Sequence, residues 1–79
     1  MESPVYTVRA TPEAEHDLKK VRKQDRAGIA GKIAALAHDP RPHGVKKMQG
    51  MGNLYRIRVG DYRVIYQIRD KVLLVLVVI

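Results

Sequence analysis

Residues 54–68, LYRIRVGDYRVIYQI, leave this chain few ways to fold. On either side of Gly60-Asp61 run β-branched and aromatic residues alternating in character, the period-2 pattern of a strand. A two-residue Gly-Asp loop suits a tight hairpin, because glycine takes positive φ without steric cost. With that loop Val59 faces Tyr62, Arg58 faces Arg63, Ile57 faces Val64 and Arg56 faces Ile65. Tyr55, Ile57, Val59, Tyr62, Val64, Tyr66 and Ile68 then share a core face. Leu54, Arg56, Arg58, Arg63, Ile65, Gln67 and Arg69 share the other. A loop longer or shorter by one residue would exchange the two sets, so the register carries the prediction.

Arg58 opposite Arg63, with Arg56 alongside, is a costly arrangement. Like charges facing across a strand pair destabilise it by up to about 1 kcal/mol. Two readings stand. The face is a solvated basic surface, with Arg63 paired to an acid such as Asp61 or Asp70, or it is kept for an anion such as a phosphodiester, which arginine grips in bidentate fashion.

The remaining chain supplies elements to pack on this hairpin. Pro4 to Ala10 alternates as a first strand. Thr11-Pro12-Glu13 opens a helix, with Thr11 as N-cap and Pro12 at the first helical position, and Ala14, Leu18 and Val21 follow at helical spacing. Asp25 is the expected N-cap of a second helix, which carries Ile29, Ile33, Leu36 and Ala37 and stops at Asp39, before Pro40. Gly28 and Gly31 within it suit either close approach of the first helix or simple tolerance. PRPHG (40–44) reads as a rigid loop, Val45 to Gln49 as the return to the sheet, and Asp70-Lys71 as the turn into a last strand, VLLVLVVI. That strand is apolar on both faces and is expected at the centre of the sheet or covered on both sides. The sum is one α+β domain spanning residues 1–79: an N-terminal strand, then a helical hairpin packed on an antiparallel meander sheet.

Composition narrows the function classes. With 79 residues, 46% of them hydrophobic, the chain has just enough material for one core. It has no cysteine and a single serine, Ser3, which removes disulfides, thiolate metal sites and a Ser-His-Asp nucleophile. His16, His38 and His43 lack metal-ligand spacing, no phosphate-binding glycine loop is present, and neither a metal nor a cofactor is expected. No apolar leader shows in residues 1–20, and the longest apolar run, Val72 to Ile79, has eight residues against the roughly 20 a membrane helix needs. A soluble cytoplasmic protein is the expectation. Residues 1–39 carry seven Lys/Arg against six Asp/Glu, whereas residues 40–79 carry eight against two. The basic field therefore belongs to the strand-rich half, and it favours polyanionic partners.

Three stretches together carry a family resemblance: LAHDPRPHGVKKMQG (36–50), then LYRIRVGDYRVIYQI, then the apolar last strand. They resemble toxins of the RelE/ParE superfamily, most closely the RelE-type messenger-RNA interferases of toxin–antitoxin pairs. The resemblance implies the α+β fold above and an endoribonuclease that cleaves mRNA in the ribosomal A site through attack by the neighbouring 2′-hydroxyl. It implies as partners the ribosome and its mRNA, and an acidic RelB-like antitoxin wrapped on the toxin in a hetero-oligomer, with no membrane involved. By position it assigns Arg56, Arg58 and Arg63 to catalysis, and these three with Lys46 and Lys47 to RNA binding.

Two departures from the pattern bear on this. Arginine stays protonated at any working pH, so Arg56 and Arg58 do not serve as a general base as a lysine could. The Arg- and Tyr-bearing segment that follows the last strand in the family is not present before Ile79, and a weak or inactive form is the expectation. The alternative is a non-catalytic binding toxin: a ParE-like gyrase inhibitor, or a module that engages antitoxin or nucleic acid.

Overall fold

The computed structural model describes residues 5–42, 44–48, 50 and 52–79. Pro4, His43 and Gln49, which the sequence places at a strand start, in a loop and at a strand end, lie outside the described residues. The elements are β1 (Thr7–Ala10), α1 (Pro12–Lys20), α2 (Lys23–His38), β2 (Lys46–Lys47), β3 (Leu54–Val59), β4 (Tyr62–Arg69) and β5 (Val72–Val78). Both helices lie on one face of a five-stranded sheet of order β1-β5-β4-β3-β2. The α+β class and the meander from β2 to β5 are as the sequence implies.

One feature of the sheet differs. β1 pairs with β5 in parallel, from Thr7↔Val72 to Ala10↔Val75, so the sheet is mixed rather than antiparallel. Two helices intervene before the meander begins, long enough for the crossover that parallel pairing requires. β5 thereby becomes an interior strand, in keeping with its apolar faces.

The helix ends follow from local chemistry, with one correction. Thr11 caps α1, its hydroxyl accepting from Ala14 N at 3.0 Å and donating to the Leu76 carbonyl at 3.0 Å. Glu13 and Glu15 in the first turn and Lys19 and Lys20 in the last complement the helix dipole. Asp25 is not the N-cap of α2; Arg22 holds that position without a side-chain cap, and Asp25 sits in the first turn. Buried Val21 turns the chain so tightly that the helix restarts at Lys23. Arg26 binds the freed carbonyls instead, donating to Val21 O at 3.0 Å and Lys19 O at 2.7 Å. Gly28 and Gly31 do not mark a helix–helix approach either. A Cβ at either would meet nothing within 4 Å, so they are tolerated on an open face.

The core is one cluster in which Ile29, Ile33 and Leu36 of α2 meet Tyr55, Ile57, Val64, Tyr66 and Ile68, with Leu73, Val75 and Val78 from β5. Leu73, Val75 and Val78 break strict alternation. The pairing passes from Ile65↔Val77 to Tyr66↔Val75, so Leu76 is an extra residue, a bulge that returns Val78 to the core face. Beyond Val75 the outer edge of β5 has no strand partner among the described residues. Asp17 closes it by accepting from Val78 N at 3.1 Å. Among the described residues no helix is long and apolar enough to cross a membrane.

Candidate nucleic-acid interface

The hairpin has the register that its two-residue loop implies: Val59↔Tyr62, Arg58↔Arg63, Ile57↔Val64 and Arg56↔Ile65. Gly60 takes φ +59° while Asp61 stays at negative φ, the pattern of a turn whose twist matches the strands. Tyr55, Ile57, Val64, Tyr66 and Ile68 are buried beneath the helices, while Arg56, Arg58 and Arg63 are exposed on the helix-free face.

β2 adds a fourth cation. Lys46 pairs with Arg56 and so shares its face, whereas Lys47 pairs with Tyr55 and points the other way. The structure therefore brings Lys46, Arg56, Arg58 and Arg63 together around one open pocket of about 320 Å³, completed by Gly44. Lys47 lines a separate depression with Met48, Gly50 and Gly52.

Asp61 and Asp70, the acids weighed as partners of Arg63, stand elsewhere. Asp61 lines a different cleft with Asp25, Gly28 and Tyr62. Asp70 lies seven residues along β4, roughly 23 Å away at strand rise. Among the described residues, the one side-chain hydrogen bond of this group runs from Arg58 Nε to the Gly60 carbonyl, 3.0 Å, which folds that guanidinium back over its own turn. Four cations thus converge with no carboxylate among the described residues of the pocket. Such an arrangement suits an anion with several acceptor oxygens, and a phosphodiester fits both the charge and the forked donors. His16 and His38 are exposed and remote from the pocket, and among the described residues no three His, Cys, Asp or Glu side chains gather as metal ligands would.

Comparison with known proteins gives this geometry a lineage. Residues 8–79 match the family model described as the ParE toxin of the type II toxin–antitoxin system parDE. The chain belongs to the RelE/ParE superfamily of type II toxins. RelE in the archaeal RelE–RelB complex of Pyrococcus horikoshii is similar, with 32% identity, 94% of this chain and 92% of that chain covered, and a TM-score of 0.83. The Mycobacterium tuberculosis RelBE2 complex gives 27% identity, coverage of 99% and 93%, and a TM-score of 0.84. A free E. coli RelE variant with two arginines replaced by alanine gives 26%, coverage of 94% and 81%, and 0.82. No curated protein sequence matches.

This superfamily member braces its cationic corner from behind, through residues that sequence reasoning did not single out. Tyr55 and Tyr66 stack with ring centroids 5.8 Å apart. The Tyr66 hydroxyl donates to the Pro40 carbonyl at 2.7 Å, and Arg41 Nε donates to the Tyr55 hydroxyl at 2.8 Å. That bond raises the Arg41 pKa above its ordinary value, and the guanidinium lies over the Tyr55 ring, 5.2 Å from its centroid. The two anchors hold Pro40 and Arg41 in place, and Gly44 at the pocket wall has a φ of +94°, which favours glycine. The sequence offers PRPHG as a rigid loop next to Lys46, but contacts from position 40 to position 66 leave no local signal.

Proposed function

We propose that this toxin acts on RNA, holding backbone phosphate in the pocket of Lys46, Arg56, Arg58 and Arg63 and promoting cleavage of mRNA on the ribosome by 2′-hydroxyl attack. The observation that carries this reading is the Arg58↔Arg63 pair facing across the hairpin beside Lys46 and Arg56, with no carboxylate among the described residues that line the pocket. In the transition state, charge accumulates on the non-bridging oxygens of the phosphorane. Preplaced guanidinium donors stabilise it there more than in the ground state and hold the nucleotides in line. Lys46 is the one member of the group able to give up a proton, so proton transfer falls to it or to a group on the ribosome. Lys47, on the opposite side of β2, serves RNA binding only as part of the wider basic field. An acidic RelB-like antitoxin is the proposed partner, in line with the RelE–RelB complexes of similar fold.

Adding the purified chain to a translating system and mapping mRNA ends by primer extension tests this. We expect cuts within translated codons, slowed about 10²–10³-fold by Arg63→Ala, the loss typical of one preorganised charge-stabilising donor. A second reading is favoured by the family model, which is that of ParE toxins. It is a non-catalytic toxin directed at DNA gyrase. Intact mRNA together with blocked gyrase supercoiling would replace the first reading with the second.

A further inference from the structure

The helix-free face does not end at the cations. Its rows run across the sheet in register: Arg58 with Arg63, then Lys46, Arg56 and Ile65, then Leu54, Gln67, Leu74 and Arg9. Val77 extends the second row beyond Ile65, both half-buried, and the third row continues this apolar ground with no cation before Arg9 at its far end. Leu54, Gln67 and Leu74 are half-buried although no helix covers them. Gln67 lies between two leucines, and among the described residues its amide has no hydrogen-bond partner. An exposed face of an antiparallel sheet is ordinarily polar throughout. Here a single amide is set into an apolar strip, one row from the cationic pocket.

We infer that this strip takes the base belonging to the phosphate held by Arg56, and that Gln67 is the residue that reads its edge. This inference rests on the RNA reading above and goes beyond it by separating the phosphate-holding residues from the base-selecting one. The geometry has three parts. Arg56 and Gln67 are diagonal neighbours on adjacent strands, roughly 7–8 Å apart. That separation is comparable to the span from a phosphate, across its ribose, to the base. A base laid on Leu54, Ile65 and Leu74 would bury its apolar face there and turn its edge to the amide. Gln67 offers one donor and one acceptor side by side, the pairing by which a glutamine or asparagine recognises a base edge. Single-stranded RNA presents its bases in this unstacked way. Phosphate contacts set position and base contacts set preference, so the two rows perform separable tasks.

The test uses four fluorescently labelled RNA homopolymers, one per base, each titrated with the full chain over a series of salt concentrations. The parent should separate its best and worst base by at least about fivefold, the low end of what one amide pair contributes to discrimination. In Gln67→Leu that spread should fall to within about twofold while the salt slope is unchanged. Arg56→Gln should do the reverse, flattening the slope by about one ion and keeping the spread. Gln67→Thr, polar but too short to reach, should behave as Gln67→Leu does and guards against a solubility defect in the leucine variant. A parent that binds with a steep salt slope but no base preference, or a spread that survives both variants, would overturn the base-reading role and leave the phosphate pocket standing. A parent that binds none of the four would overturn both.

Discussion

Tyr66 is fully buried, and among the described residues its hydroxyl has one partner, the Pro40 carbonyl. Burial is the main cause that pushes its pKa up to about 12 from the ordinary 10, with the neighbouring Tyr55 adding to the rise. A raised pKa means the folded state prefers the neutral phenol. Below about pH 10 both states keep the proton and Tyr66 adds no pH dependence. Between about pH 10 and 12 the unfolded chain ionises first, so stability falls as pH rises, by roughly 2–3 kcal/mol from a shift of this size. Denaturant midpoints measured across that window should show the loss. Tyr66→Phe should lack this part of it, at a cost of about 1 kcal/mol near neutrality for the missing hydrogen bond. An alkaline limb as steep in the variant as in the parent would show that other groups drive it. Single residues were also where sequence reading had least purchase. Lys46 and Lys47 are identical neighbours, and the pairing with β3 alone decides which one joins the pocket. Asp25 has the right chemistry for a cap, but with Val21 buried the N-cap falls three positions upstream of it, at Arg22.

The hairpin of β3 and β4 was legible because its signals are local and agree: turn chemistry, alternation and loop length all specify one register. What lay outside local patterning was missed or left open. The parallel seat of β1 beside β5 and the extra residue at Leu76 depend on contacts between distant segments. The arginine cluster was placed on the correct strands from sequence; its lack of acidic neighbours needed the fold. The hairpin carries a cost that can be measured. Arg58 and Arg63 are directly opposed, so Arg63→Gln should leave the free protein as stable or up to about 1 kcal/mol more stable, while weakening RNA binding for every sequence alike. A clear loss of stability with RNA binding intact would make Arg63 a structural residue.

For the molecule as a whole, charge and fold are arranged on different axes. Nearly all the excess positive charge lies in the strand-rich half, and the cationic pocket opens on the face away from the helices. An acidic partner therefore approaches one side of the molecule along its field. Its association rate should drop steeply between low and physiological salt, while its dissociation rate changes little, because screening sets in over ~10 Å at 0.1 M. Stopped-flow mixing with the proposed antitoxin at several salt concentrations measures both, and a salt-insensitive association rate would remove electrostatic steering from the account.

The seat of β1 against β5 also sets an order in time. Thr11 and Leu76, which hydrogen-bond to each other, are 65 positions apart. During synthesis at roughly 5–20 residues per second, β1 and both helices emerge several seconds before the strand they pack on exists. Until β5 arrives, the apolar face of α1 has no sheet to cover and β1 has no partner. The nascent chain is then at its most exposed to proteases and to whatever binds unpaired strands. A pairing between first and last strands thus leaves completion to the end of manufacture: the sheet behind the arginines gains the strand that joins β1 to β4 only once residues from Val72 onward have been made.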